Sequence, residues 1–343
     1  MAAVYHPYAE SLVSIRKAPN LVAAGVAGAD SNSPVQSAKA RLPDTIIAFG
    51  DSLTCPGRYF HIKGEKPPRV FSTGRHSTGL LAAENLAYVM IPSLKGNTEP
   101  VPIKNYACAW AAAQKLPEQT SPSLLEQIDA WERDVLSMEE LRNTKQQRMY
   151  FIWIGGNDYL SESRSAKKIV AVVRQAIERI LAIDPFANFF LPTILPGDSL
   201  PKLMGRPAAK LAARLMQSHA DELRSMADAV TAERHLDPSR ILVADVTEPF
   251  RELVQRRQEL GFDNELKATF DESYKLCEDC QHPDDRVMVD DFHPTAPGHW
   301  YLAEAMMQRL MEGYGLERRP EGLDFSLGWW RRHRDQADRF LDE

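Results

Sequence analysis

Several protein classes are excluded by what this chain has little of. Four cysteines among 343 residues are too few to build a fold from disulfides, so burial of apolar side chains has to hold it together. No run approaches the roughly 18 consecutive apolar residues that a membrane-crossing helix needs, which predicts a soluble or peripheral protein. Excess positive charge is missing too. Lys and Arg number 41 against 47 Asp and Glu, a net charge of −6, so there is no whole-molecule basic field of the kind nucleic-acid binders use. Nucleic acid is not an expected partner. Sequence repeats and low-complexity tracts are absent as well. The LVAAGVAGAD run behind Arg16 and Lys17 is short, interrupted by glycine and wrongly spaced for a Sec-type signal. The expected location is the cytoplasm, or outside it by a non-Sec route.

What remains is globular in composition, 44% hydrophobic and 26% charged, with apolar material for one large domain or two modest ones. Residues 1–40 end in a stretch rich in Ala, Gly, Ser, Asn and Pro without periodicity and are expected to form a disordered tail. Beyond it, short apolar runs rich in β-branched and aromatic residues predict strands at TIIAFG (45–50), VPIKNYAC (101–108), MYFIWIG (149–155), NFFLPTIL (188–195) and RILVADV (240–246). Their near-continuous hydrophobicity is that of strands buried on both faces. Helical spacing of apolar residues over 165–182 and 208–230 places helices between them. Five strands with intervening helices predict one α/β domain, residues 41–314, with a mainly parallel five-stranded sheet. Residues 315–343 are expected as a helical C-terminal extension. In such sheets functional residues gather at the carboxyl ends of the strands.

The tetrapeptide GDSL occurs at two of those ends, around Ser52 and around Ser199. Gly50 lets the chain turn sharply so that the Ser52 hydroxyl projects. At the second copy Pro201 keeps Leu200 from helical geometry, and Pro196 and Gly197 suit an ordinary turn. A serine needs a base, and the base an acid. His293 with Asp290, three residues earlier in VDDFHPTAPGHW, brings imidazole and carboxylate together on one turn. Asp291 is expected to be surface charge. Asn157, in WIGGNDYL past the third strand, can donate its amide to an oxygen gaining negative charge, while Asp158 is expected to support its loop.

FGDSL at 49–53, GGND at 155–158 and DDFHP at 290–294, in that order and on those strand ends, resemble three blocks of the SGNH hydrolases, the GDSL esterases and lipases. RVFSTGRHSTGLLAAENLA (69–87) is similar to a segment of their lipase-like branch, which includes plant GDSL lipases and bacterial phospholipase/acyltransferases. The resemblance runs from about Asp44 to about Leu310. It implies a three-layer α/β/α sandwich and a serine ester hydrolase acting on small-molecule or lipid esters without metal or organic cofactor. Ser52 would be the nucleophile, His293 the general base and Asp290 its orienting acid. The oxyanion donors would be the backbone N–H of Ser52, the Asn157 amide and a block-two N–H. Ser199 follows GGND, out of order, and would be a chance copy.

Block two departs from the family pattern. It reads NYACAWA, and Trp110 falls where a donor glycine is usual; the N–H persists, but the indole must fit beside the substrate or turn away. Cys55 stands where Asp is frequent and is expected to be a packing residue. Cys277 and Cys280, with His282 nearby, lack the second pair a zinc site needs and are expected as a disulfide or plain thiols. Trp329 and Trp330 beside a basic cluster fit either a docked helix or a membrane-surface contact. Two other functions use the same residues: an acyltransferase with an alcohol as second nucleophile, and an inactive binding domain on this fold.

Overall fold

The computed structural model describes residues 40–68, 71, 74–136, 146–160, 165–263, 266, 268–270, 276, 282–317, 327–328 and 330. Residues 1–39 of the expected tail, Cys277, Cys280, Trp329 and the basic cluster after Trp330 lie outside the described residues; Ala40, its last residue, is buried and donates its N–H to Ser239 Oγ at 2.8 Å.

All six residues of β1 (Thr45–Gly50) are buried, because the strand is covered on both faces. On one side it pairs in parallel with β2 (Ile103–Asn105), on the other with β3 (Arg148–Trp153). Outward from β3 follow β4 (Asn188–Pro192) and β5 (Ile241–Ala244), also parallel. The order β2-β1-β3-β4-β5 gives the expected five-stranded parallel sheet. The paired strands are shorter than the apolar runs that announce them. After Asn105 the side-chain carbonyl accepts the Ala107 N–H and turns the chain, and beyond Pro192 the segment leaves the ladder.

Between β1 and β2 lie α1 (Arg58–Lys63) and α2 (Ala82–Asn85), the latter running through a π-helical turn into α3 (Ile91–Lys95). After β2 come α4 (Leu124–Leu136), α5 (Ala166–Ile183), α6 (Ala208–Glu233), α7 (Thr247–Gln255) and α8 (Ala296–Tyr314). The helices at 166–183 and 208–233 match the periodicity within about three residues. Alternation along β1 divides the core. Ile46 and Ala48 face α2, α3, α7 and α8, whereas Ile47 and Phe49 face α4, α5 and α6, which makes three layers. Trp330 docks on the first of these cores. Its ring lies 6.2 Å from that of Trp300, and its Nε1–H reaches Asp284 Oδ2 at 3.5 Å. Among the described residues no helix is long and apolar enough to cross a membrane.

Candidate active site

The turn after β1 is held by its neighbours. A Cβ on Gly50 would stand 2.4 Å from the Trp153 carbonyl oxygen, so only glycine lets β1 approach β3 here. The buried Gln127 side chain grips the same residue from both ends, accepting the Gly50 N–H and donating to its carbonyl, each at 2.9 Å. The Asp51 carboxylate then accepts the Leu53 N–H at 3.0 Å, closing a turn that lifts Ser52 above the sheet.

Asp290 folds its own turn around His293. One carboxylate oxygen takes the N–H groups of Phe292 and His293, both at 2.8 Å, and the other meets His293 Nδ1 at 2.7 Å. The far ring nitrogen, Nε2, lies 2.7 Å from Ser52 Oγ, across 241 residues of chain. The structure thus brings Ser52, His293 and Asp290 into one hydrogen-bonded line. Burial disfavours the charged imidazole, but the Asp290 carboxylate outweighs it, with help from Asp51, and holds His293 above its ordinary range. For Asp290 burial pushes the other way, and His293 with the two backbone donors keeps it ionised below the usual carboxylate value.

His76 was not singled out by sequence reasoning, although it stands in the quoted 69–87 segment. Its ring packs 5.0 Å from the His293 ring, stacks on Phe60 and lies tilted against Phe71. Desolvation, then repulsion by His293, lower its pKa to about 3, so it is a neutral wall behind the imidazole.

Opposite the serine, two loops present donors. Trp110 has φ of 65°, the left-handed region that costs a non-glycine residue roughly 1–3 kcal/mol. In that conformation its side chain turns outward, 55% exposed. Among the described residues, no acceptor takes its N–H or that of Ser52. Asn157 Nδ2 donates to the Ala111 carbonyl at 2.8 Å, which fixes the amide and leaves its second hydrogen free in geometry. Asp158 accepts the N–H groups of Ala113 and Gln114, tying the Asn157 loop to the Trp110 loop, and Ser121 Oγ anchors the Ala109 carbonyl. Tyr159 is held by a 3.2 Å contact of its hydroxyl with His219 Nδ1 on α6. Asp158 thus supports its loop as the sequence suggests, whereas nothing in the sequence pattern marks Ser121 or His219, whose partners are set by the folded loops.

Ser199 is not part of this line; its hydroxyl donates to the neighbouring Asp198 at 3.4 Å. Asp198 in turn meets Arg251. Asp291 is half-exposed and pairs with Lys202. Cys55 is buried with Ala107 and Ala109, a packing role.

Residues 46–306 match the family described as GDSL-like Lipase/Acylhydrolase, a span that holds every group of the constellation. The chain belongs to this family. As a GDSL-like lipase/acylhydrolase it is a hydrolase of carboxylic ester bonds. Solved structures similar to this family member include an acetylxylan esterase from Geobacillus stearothermophilus, at 14% identity and TM-score 0.42 over 85% of this chain and 98% of that one. Another is LAE5, an α/β hydrolase enzyme from the metagenome of Lake Arreo, Spain, at 15% identity and TM-score 0.43 over 82% and 98%. No curated protein matches the chain.

Proposed function

We propose that the chain cleaves carboxylic esters through an acyl-enzyme on Ser52. His293 Nε2 takes the Ser52 proton as Oγ attacks the ester carbonyl, and the resulting imidazolium is stabilised by Asp290. The carbonyl electrons move onto oxygen, where the N–H groups of Ser52 and Trp110 and the Asn157 amide receive the charge. Collapse expels the alcohol, which takes the proton from His293. Water, deprotonated by the same nitrogen, then attacks the acyl carbonyl, and collapse releases the acid while His293 returns its proton to Ser52 Oγ. The observation that carries this reading is the 2.7 Å Ser52–His293 contact in line with Asp290; a binding domain would have no need of that alignment.

The test is hydrolysis of p-nitrophenyl acetate, with fluorophosphonate labelling alongside. Ser52→Ala is expected to lose labelling and to lose kcat by a factor on the order of 10⁶, while Ser199→Ala keeps both. Equal activity in wild type and Ser52→Ala would remove the serine from the mechanism.

A further inference from the structure

Beside Ser52 opens a cavity of about 300 Å³ whose walls are mainly apolar. Its far wall is the second GDSL segment together with the first turns of α6: Leu200, Leu203, Leu211, Ala212, Leu215 and Met216. The segment can lie this close because of Gly197, where a Cβ would come within 2.6 Å of Ala212 Cβ and 3.0 Å of Met216 Sδ. The second GDSL copy is therefore built as a wall of the cavity, with its glycine against α6 and its leucine facing the void.

Charge is distributed unevenly in the cavity. Asp51, His76 and His293 line it at the Ser52 end, and among the described residues no Lys or Arg lines it. Tyr159, the remaining titratable group, turns its hydroxyl to His219. A phosphate, a carboxylate or a sugar ring lying against α6 would lose its hydration and find no donor on the Leu211, Ala212, Leu215 and Met216 wall, a cost that apolar walls do not offset. An alkyl chain would lose only its contact with water. The entrance is apolar as well, since Trp110 and Leu211 line the cavity while remaining 55% and 47% exposed.

Resting on the Ser52 reading above, we infer that this corridor binds an unbranched aliphatic chain of the ester, and that Ala212 and Met216 on α6 set the chain length it accepts. Each methylene buried there raises kcat/KM about threefold to fourfold until the corridor is full, after which the gain stops.

Two substrate series separate the sources of the chain. In one, p-nitrophenyl esters run from acetate through butyrate and octanoate to palmitate; in the other, acetate esters of alcohols lengthen over the same range. A rise of at least tenfold from the shortest member to an optimum is expected in one series, and the series in which it occurs says whether the acyl or the alcohol portion fills the corridor. In the series that shows the rise, Ala212→Phe is expected to cut the ratio of eight-carbon to two-carbon kcat/KM by tenfold or more, and Met216→Ala to move the optimum to longer chains. The opposite directions keep the result readable if one variant folds poorly. Binding of 1-decanol to Ser52→Ala, followed calorimetrically, reports on the corridor without turnover; it is expected to be measurable and to be lost with Ala212→Phe. A wild type that hydrolyses acetates but favours no longer chain, or that prefers acetylated sugars, overturns the corridor and leaves the Ser52 mechanism standing. A wild type without turnover or labelling overturns the mechanism, and the decanol titration then decides the corridor by itself.

Discussion

At the scale of single residues, His293 is held above the ordinary imidazole value of 6.5. The reactive form is the neutral base, so kcat/KM is expected to rise with pH through an apparent pKa above 6.5. His76 and His299, both held to about 3 by burial, stay uncharged across that window. Asp51, driven up to about 7 by desolvation, titrates within it, so the acid limb belongs to the Asp51–His293 pair. Asp290→Asn is expected to move the limb toward lower pH and to cut kcat by a factor on the order of 10⁴. Asp51→Asn is expected to simplify the limb to one step. Asp51 also carries a stability consequence of definite sign. Its carboxyl is raised in the fold, so native stability falls as pH climbs from its unfolded value of 3.8 toward 7. Thermal scans are expected to show Asp51→Asn stabilising the protein more at pH 8 than at pH 5. Trp110 holds a left-handed backbone, and Trp110→Gly is expected to raise stability by about 1 kcal/mol in urea unfolding.

At the scale of elements, the strap carrying His76 is fastened by a buried ion pair. Arg75 reaches both Glu84 oxygens, Nη2 to Oε1 at 2.7 Å and Nε to Oε2 at 2.9 Å, and Glu84 also takes the Leu81 N–H. Thr78, three residues on, accepts the Ala296 N–H at the start of α8. Glu84→Ala leaves a buried guanidinium without that partner and is expected to cost roughly 3–5 kcal/mol in chemical denaturation. The double change Arg75→Met with Glu84→Leu is expected to recover most of the loss. The strap also shows why His76 escapes detection in the sequence. Its significance depends on Phe60, Phe71 and His293, which come from three separate segments, and no local period records that meeting.

At the scale of the whole molecule, the parallel sheet aligns the strand ends that carry Ser52, Trp110 and Asn157, and α8 brings the Asp290–His293 turn over them. Leu327 and Trp330, described residues near the C-terminus, belong to this body. Leu327 and Trp330 are buried in the core with Trp300, and the Leu327 N–H bonds the Leu260 carbonyl at 3.1 Å. Ending the chain at Gly322 is expected to lower stability by roughly 3–5 kcal/mol, as for loss of a buried tryptophan, measured as a lower thermal midpoint.

Strand positions, the parallel sense of the sheet and the Asp290–His293 pair were legible in the sequence, because strand burial is written in consecutive residues and that pair closes within one turn. Block order and resemblance pointed to Ser52 and Asn157 before any distance was known. The conformation of Trp110 was not legible, since its φ is set by loops anchored through Asp158 and Ser121. Nor was the second GDSL segment, which reads as a chance turn in one dimension and is a cavity wall in three. Local chemistry thus determined the kinds of residue at the strand ends. Folding alone decided which of them meet, because a 2.7 Å contact across 241 residues exists only once the sheet and both cores have closed around it.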